Sequence, residues 1–483
     1  MTPSIIHLSA VDLSRAIADR TVSCREVMAA YLDRIDAVNP AVNAIVALQS
    51  REGLMAQADQ ADALLARGER KGWMHGFPVA VKDLAPTAGI TTTMGSPIFR
   101  DFVPRVDGLL VSRMKAAGAI VIGKTNTPEF GLGSHTFNPV YGLTRNPYDP
   151  SRSAGGSSGG AAVALALRML PVADGSDMGG SLRNPAGWNN VFGMRPSFGR
   201  VPKWPELDGF FQQLGVDGPM ARSVADLAQL LAIQAGRDPR APLSLDDDPR
   251  VFADPLDCDI RGTRIGWLGS FDGHLALEDG VVETCEEALG ILGDIGCIVE
   301  SARVPFDLER LWQAWLTLRS VNTGANLIAH STDPAKRPLL KPEALWEIEQ
   351  AERTTALELH RASITRTDWY RVLLECFDRH DFLALPSAQL FPFPAEAHWP
   401  RSIAGRTMDT YHRWMEVMIP ATMAGCPAIS VPAGFGGAIG LPIGLQLIGR
   451  PRSDLALLRL AHAFDRASDW VRRAPPPEPA ALA

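Results

Sequence analysis

The sequence lacks the cysteine and histidine patterns that hold metal ions or form redox-active pairs. Its six cysteines are scattered without CxxC spacing, it contains no HExxH segment, and its ten histidines do not cluster. Isolated cysteines are typical of reduced, mostly buried thiols in a cytoplasmic protein. We therefore expect a cytoplasmic location, no metal site and no cofactor.

Excess positive charge and an uninterrupted apolar helix are also missing. The formal net charge of −7 argues against a nucleic-acid partner. Residues 417–449 carry no charge but contain four prolines and many glycines. This composition excludes one membrane-spanning helix and predicts buried strands and turns. Residues 1–20 lack a basic region followed by an apolar core, so we expect no signal peptide and no membrane partner.

The 483 residues predict two or three domains by length alone. Residues 1–70 have helical patterns without candidate catalytic residues. Ser23 is a predicted N-cap for a helix over Cys24–Ala37, which should end before Pro40.

The central feature is a glycine- and serine-rich stretch over residues 151–199. Two glycine-flanked serines, Ser157 and Ser181, lie 24 residues apart (181 − 157) and are separated by an apolar segment. A helix followed by a strand over Met169–Ala173 would bring both serines to one edge of a sheet. The alternative for Gly155–Gly160 is a flexible linker, which the flanking apolar segments disfavour.

A lysine interrupts a short apolar strand pattern at Lys82, directly after Val79-Ala80-Val81. Lysine is rarely buried unless it is paired or functional. A side chain that reaches solvent from the strand end is the alternative. Burial would lower the lysine pKa from about 10.4 towards neutrality and leave an amine that can accept a proton.

These residues predict nucleophilic catalysis by serine. A serine hydroxyl attacks a carbonyl carbon only when a base removes its proton. We assign Ser181 as the nucleophile, Ser157 as the proton relay and Lys82 as the base.

The turn before Ser181 predicts a site for a developing negative charge. Consecutive backbone N–H groups with little side-chain bulk can bind the oxyanion of a tetrahedral intermediate. The candidate donors are Met178, Gly179, Gly180 and Ser181. We expect Asp177 and Arg183 to form a buried pair that braces this turn, although a surface pair is the alternative.

Two segments match motifs of other protein classes. Gly118–Thr125 fits the phosphate-loop pattern GxxxxGK[ST]. Its middle is a strand pattern and no helix follows, so we disfavour nucleotide binding. Gly155–Gly159 fits the GxSxG pattern of α/β-hydrolases. That alternative makes Ser157 the nucleophile and needs a downstream histidine, for which His462 is a nominal candidate.

Several segments, in their order along the chain, resemble the amidase signature family. They are Val81-Lys82-Asp83, residues 118–129, residues 151–199, Gly425–Pro432 and residues 440–446. The similarity covers roughly residues 5–470. Because several separate motifs occur together, the resemblance is specific.

The resemblance implies an α/β fold with a mixed central β-sheet flanked by helices on both faces. It implies a catalytic domain over residues 71–470, with a helical segment over residues 1–70 packed on it. A tail over residues 471–483 should be frayed. Variable segments that shape the substrate pocket would lie at about 200–250 and 306–410.

The resemblance also implies a Ser–cis-Ser–Lys triad on the residues already assigned. Ser157 would follow a cis peptide bond, and Ser158 would hydrogen-bond Lys82. Asp177 and Arg183 would support the site from behind the triad.

Two positions depart from the family pattern. Ser176 stands where threonine is usual, which should be tolerated. Asn184 stands where members linked to tRNA often carry glutamine, and this disfavours the A-type subunit of a tRNA amidotransferase.

The function predicted from the sequence is hydrolysis of a C–N amide bond through a seryl acyl-enzyme, and we allow for a homodimer. Apolar or aryl amides are the expected small-molecule substrates, with carbamates and esters as further candidates. The alternatives are a glutaminase subunit of a tRNA amidotransferase and an α/β-hydrolase. Candidate pocket residues are Trp204, Phe210, Phe211, Trp312 and Trp315, for which ordinary core packing is the alternative.

Overall fold

The computed structural model describes residues 4–211 and 213–478 as an α/β protein. The helices in these ranges are α1 (Ala10–Ala18), α2 (Cys24–Val42), α3 (Arg51–Ala66), α4 (Leu109–Ala116), α5 (Gly159–Ala166), α6 (Arg183–Trp188), α7 (Val224–Gln234), α8 (Val281–Asp294), α9 (Leu308–Ser331), α10 (Pro342–Arg353), α11 (Ala356–Phe377), α12 (Ile419–Ala424), α13 (Asp454–Ser468) and α14 (Trp470–Arg473). The strands are β1 (Ile45–Val46), β2 (Pro78–Lys82), β3 (Ile120–Thr125), β4 (Phe137–Asn138), β5 (Gly142–Leu143), β6 (Ala173–Asp177), β7 (Phe192–Arg195), β8 (Val216–Ala221), β9 (Arg264–Trp267), β10 (Ile298–Ser301), β11 (Phe382–Pro386), β12 (Ser402–Ile403), β13 (Arg406–Thr407), β14 (Ala428–Gly436) and β15 (Leu441–Gly449).

An eight-stranded mixed sheet forms the centre of the fold, in the order β10-β9-β11-β15-β14-β7-β8-β6. Strands β10, β9 and β11 are parallel, and the remaining neighbours are antiparallel. Helices α6, α8 and α13 pack on the central pair β14 and β15. The predicted α/β class with a mixed sheet flanked by helices is confirmed.

The charge-free stretch over residues 417–449 forms the two central strands β14 and β15, preceded by the short helix α12. Both strands are almost entirely buried. The predicted strand pair is therefore confirmed. Among the described residues, no helix combines the length and the apolar character needed to cross a membrane.

A smaller sheet, in the order β1-β3-β2, carries Lys82 at the end of β2. The backbone N–H of Lys82 donates to Oδ1 of Asp174 on β6 at 3.2 Å. This contact joins the small sheet to the edge strand of the large one. It brings the lysine next to the chain segment that leads to Ser181.

The segment that matches a phosphate loop forms strand β3 of this small sheet. Its lysine, Lys124, is fully buried and donates to the carbonyl of Ala85 at 2.5 Å and to Oγ1 of Thr87 at 2.8 Å. The backbone is paired in a sheet and the ammonium is engaged inside the protein. The strand interpretation of Gly118–Thr125 is confirmed.

Two predicted boundaries were wrong. Helix α2 continues past Pro40 to Val42, because Val38 and Val42 extend its buried face. The predicted cap is confirmed, since Ser23 and Glu26 form a capping box at its start.

The strand predicted over Met169–Ala173 begins only at Ala173 and runs to Asp177. Pairing with β8 decides this position, because Ala173 lies opposite Met220 and Asp177 lies opposite Val216. The apolar pattern of Met169–Ala173 therefore reflects burial before the strand.

The end of the chain is partly described. Residues 470–473 form α14, and Glu478 pairs with Arg34 at 2.8 Å. Of the tail predicted to fray, residues 479–483 lie outside the described residues. The division at residues 70 and 470 stays a prediction.

Candidate active site

Lys82 is buried beside three serine hydroxyls, with a residue exposure of 1%. Its Nζ lies 2.8 Å from Oγ of Ser157, 2.9 Å from Oγ of Ser158 and 3.0 Å from Oγ of Ser176. The side chain therefore points inward from the strand end and does not reach solvent. The structure brings Ser176 into this cluster, although the sequence analysis gave it no catalytic role.

Burial lowers the pKa of the Lys82 ammonium to about 7, although the carboxylates of Asp174 and Asp217 oppose this shift. Desolvation disfavours the charged form of a buried amine. Near neutral pH, a substantial fraction of Lys82 is therefore the neutral amine that a general base requires.

Both candidate serines line one cavity. The peptide bond from Gly156 to Ser157 is cis. The backbone N–H of Ser158 donates to the carbonyl of Ser181 at 3.2 Å, so the two serine-containing turns are in direct contact. Ser157 and Ser181 line an open cavity of about 160 Å³. Both residues therefore belong to the same candidate site.

Asp177 braces the turn that carries Ser181. It receives hydrogen bonds from the backbone N–H groups of Gly180 at 3.0 Å and Leu182 at 3.2 Å. Its carboxylate also pairs with the guanidinium groups of Arg183 at 2.9 Å and Arg195 at 3.3 Å. Because Asp177 and Arg183 are fully buried, the surface-pair alternative does not hold.

Burial alone would raise the pKa of the Asp177 carboxyl, but the Arg183 and Arg195 charges hold it well below its usual range. The resulting stabilisation is present above the unfolded pKa of about 3.9 and is lost as pH falls below it.

We expect Asp177→Asn to destabilise the fold at neutral pH by about 3–5 kcal/mol, because it leaves buried guanidinium groups without their counter-charge. Asp368→Asn removes a partly exposed partner of Arg310 and should cost about 1 kcal/mol or less. Urea unfolding of both variants at pH 7 measures the difference. Equal losses would contradict the bracing role of Asp177.

The Gly180 position requires glycine. Its φ is +96°, and a Cβ would lie 2.4 Å from Cγ of Met418. Since its N–H already donates to Asp177, the candidate oxyanion donors that remain uncommitted are the N–H groups of Met178, Gly179 and Ser181. Gly180 thus shapes the turn that presents them.

We expect Gly180→Ala to cost about 1–3 kcal/mol of folding stability and to lower activity, because it strains the turn and displaces Met418. Gly290 lies in helix α8 with open space around its Cβ position. Gly290→Ala should stabilise the protein by up to about 1 kcal/mol. Chemical denaturation of both variants checks the contrast, and a neutral Gly180→Ala would refute it.

The structure separates the five predicted pocket aromatics. Trp312 and Trp315 are almost completely buried and stack on each other, with ring centroids 4.9 Å apart. Trp315 packs against Gly179 but does not line the cavity at Ser181. The pocket prediction for these two residues is corrected, because helix α9 turns both towards the core.

Phe210 and Phe211 are 72% and 46% exposed on a surface loop. They do not line the cavity at Ser181, so their assignment to the pocket is corrected as well. Trp204 lines a neighbouring cavity together with Lys82 and Asp174. Whether each aromatic ring is buried depends on its position in the folded protein, and the amino-acid composition does not show that position.

Sequence reasoning missed Arg319, which lines the same cavity as Ser181. This residue lies on helix α9 and is 5% exposed. A weak signal was available, because Trp312, Trp315 and Arg319 follow helical spacing on one face. A charge on an apolar helix face indicates a buried partner or a ligand.

The α/β-hydrolase alternative needs a histidine hydrogen-bonded to Ser157, and none of the histidines in residues 4–211 and 213–478 makes that bond. Ser157 Oγ is hydrogen-bonded to Lys82. His462 lies on helix α13, where its Nε2 is 3.7 Å from an Asp257 oxygen. The GxSxG match is therefore a coincidence of the glycine-rich turn.

The fold joins an eight-stranded mixed sheet to a small sheet whose buried lysine lies against two serine-containing turns. The chain matches the amidase family model over residues 26–458. It is 34% identical to the A-type subunit of the glutamyl-tRNA(Gln) amidotransferase of Chloroflexus aurantiacus, with 97% of this chain and 98% of the relative covered. It is 33% identical to an acylamidase of Rhodococcus erythropolis, with 98% of each chain covered.

A solved bacterial aryl acylamidase of the amidase signature family has a similar structure. The TM-score is 0.89 and the identity is 28%, with 96% of this chain and 97% of the other covered. The chain described here therefore belongs to the amidase signature family, whose members hydrolyse amide C–N bonds.

Proposed function

We propose that this protein is an amidohydrolase that cleaves small amides through an acyl-enzyme on Ser181. The observation that carries this proposal is the buried Lys82 amine, 2.8 Å from Ser157 Oγ, with a pKa of about 7. The cavity that both serines line gives a carbonyl carbon access to this proton path.

Acylation follows from the direction of the proton path. Ser181 Oγ bonds to the substrate carbonyl carbon while its proton passes to Ser157 Oγ, and the Ser157 proton passes to Lys82 Nζ. The carbonyl π electrons move to the oxygen. When the tetrahedral intermediate collapses, the C–N bond breaks and the leaving nitrogen receives a proton from Ser157, which Lys82 reprotonates. Water then releases the acid by the same path.

The oxyanion is stabilised by backbone N–H groups at the Ser181 turn. Met178, Gly179 and Ser181 are the donors we assign, with Gly180 held in place by Asp177. Loss of one donor in such a site typically costs about 3–4 kcal/mol of transition-state stabilisation.

Aryl or apolar amides are the substrate class that we propose. The cavity at Ser181 is bordered by the apolar side chains of Leu84, Phe130 and Met415. The likeness to a bacterial aryl acylamidase and to an acylamidase points in the same direction.

A second candidate is a glutaminase subunit of a tRNA amidotransferase, favoured by the 34% identity to the Chloroflexus protein. The two functions make different predictions for the purified chain. A stand-alone amidase hydrolyses acetanilide-type substrates without partners, whereas a glutaminase of an amidotransferase acts on glutamine and depends on the other members of its complex.

The test is a panel of anilides, esters, carbamates and glutamine, with mass spectrometry of the trapped acyl adduct. We expect anilide turnover by the purified chain and an adduct on Ser181. An adduct on another residue, or turnover of glutamine alone, would overturn the proposal.

A further inference from the structure

Arg319 presents a hydrogen-bond donor to the cavity that holds Ser181. It projects from helix α9 and is 5% exposed. Its Nε donates to Oε1 of Glu347 at 2.8 Å, and its Nη2 donates to the hydroxyl of Tyr411 at 2.9 Å. These two partners fix the plane of the guanidinium group.

The remaining nitrogen, Nη1, faces Met178. It lies 3.2 Å from the Met178 Sδ, and the hydroxyl of Thr323 lies 3.9 Å from the same sulfur. A thioether is a weak acceptor, and Nη1 carries two N–H groups. Nη1 therefore keeps donor capacity in a cavity where an oxygen acceptor would bind better than sulfur.

The carboxylate of Glu347 balances the positive charge of Arg319 on the side away from the cavity. Burial would raise the pKa of Glu347, but Arg319 overcomes this effect and lowers the pKa to about 2. Tyr411 also donates to Oε1 of Glu347 at 2.6 Å. His412 lies next to Glu347. Burial lowers the pKa of His412 to about 4, so its imidazole is neutral at pH 7. The pair of Arg319 and Glu347 forms a dipole whose positive end faces the cavity.

The proposed chemistry decides which half of the substrate meets Arg319. The leaving nitrogen must face Ser157, because Ser157 protonates it. Gly131 lies next to both Ser157 and Leu84. The carbonyl oxygen faces the turn over Met178–Ser181. With the leaving nitrogen and the carbonyl oxygen placed in this way, we assign the acyl chain to the part of the same cavity that Met178, Arg319 and Thr323 line.

We propose that Arg319 is a specificity-determining residue that binds an acceptor oxygen, ketone or carboxylate, carried by the acyl chain of the substrate. This inference rests on the proposed amidase function and adds a polar subsite to it. A buried donor with only a weak partner selects substrates that satisfy it, because a donor that loses water to a bound substrate and gains no acceptor disfavours the complex.

Three anilides with matched acyl chains test the subsite: N-phenylpentanamide, N-phenyl-4-oxopentanamide and 4-anilino-4-oxobutanoic acid. We expect wild-type kcat/KM to favour at least one oxygenated substrate over the pentanamide by about 10- to 100-fold. Arg319→Met should reduce this ratio to below about 2, and Arg319→Lys should retain part of it. The preferred oxygenated substrate distinguishes a ketone from a carboxylate ligand.

Two further variants control for folding. Arg319→Met leaves Glu347 buried without its partner, so the double variant Arg319→Met, Glu347→Gln removes the uncompensated charge. Arg310→Lys changes an exposed arginine of the same helix and should leave the ratio unchanged. The inference is overturned if the wild-type protein shows no preference for an oxygenated anilide over the pentanamide. It is also overturned if the kcat/KM ratio is unchanged in both Arg319→Met and the double variant Arg319→Met, Glu347→Gln.

A binding measurement separates the subsite from the proposed reaction. Calorimetry with the Ser181→Ala protein gives the affinities of the three anilides without turnover. If wild type hydrolyses none of them, the proposed function fails, and the affinity ratio still decides the role of Arg319. If all three are hydrolysed equally and bind equally, only the subsite inference fails.

Discussion

Ser181→Ala is expected to lower kcat for amide hydrolysis by a factor on the order of 10⁶. Loss of the nucleophile in a comparable serine triad has an effect of this size, because no other group forms the acyl intermediate. Ser181 borders the cavity and its turn touches that of Ser157, so a smaller side chain there leaves the rest of the site in place. Initial rates with an anilide, measured at high enzyme concentration, give the loss.

The control for this prediction is Ser363→Ala, on the exposed face of helix α11. It should retain wild-type rate and stability. Mass spectrometry of the trapped adduct adds an independent readout, since the adduct should be on Ser181 and absent from the variant. Residual turnover of Ser181→Ala above a thousandth of wild type would contradict the assignment.

Lys82→Met is expected to lower the rate at pH 7 by about 10³-fold, within the usual range for a general base. Methionine keeps much of the side-chain length and removes the amine. Wild-type kcat/KM should rise as pH increases through about 7, because the amine must be neutral to accept the proton. In the Lys82→Met variant, kcat/KM should not rise with pH in this range. A rise that persists unchanged would show that another group is the base.

The buried Lys82 amine also affects how the free energy of unfolding depends on pH. The pKa of Lys82 is about 7 in the folded protein, whereas an unfolded lysine titrates near 10.4. Between these values the unfolded state binds more protons, so this group makes stability rise with pH across that window.

We expect Lys82→Met to remove that part of the slope and to stabilise the protein most at neutral pH and below. Lys71→Met, at an exposed position, is the matched control and should leave the slope unchanged. Urea midpoints at pH 7 and pH 9 measure both effects. An identical slope in wild type and Lys82→Met would contradict the burial of the charge.

Local chemistry in the sequence predicted the parts of the site that depend on short-range pattern. Glycine-rich turns around Ser157 and Ser181 are readable because few other residues accept their backbone geometry. An apolar run ending in Lys82 is readable because lysine seldom occurs there without a reason. The family resemblance added the order of the motifs and the fold class.

The position of β6 and the extent of α2 depended on distant partners. Strand β6 is set by pairing with β8, and α2 passes Pro40 because its apolar face has a surface to cover. Neither partner is visible in the local pattern. Boundaries of this kind come from packing, which overrides local propensity.

The sequence by itself determined the candidate triad and the turn that carries Ser181, because these follow from residue types at fixed spacing, and its resemblance to a known family implied the fold class. Only the tertiary structure decided that Trp312 and Trp315 pack in the core while Arg319 reaches the cavity. All three residues lie on helix α9. Their roles differ because different parts of the fold pack against each of them. Burial and electrostatic pairing arise from residues far apart in the chain, so substrate specificity is a property of the folded molecule.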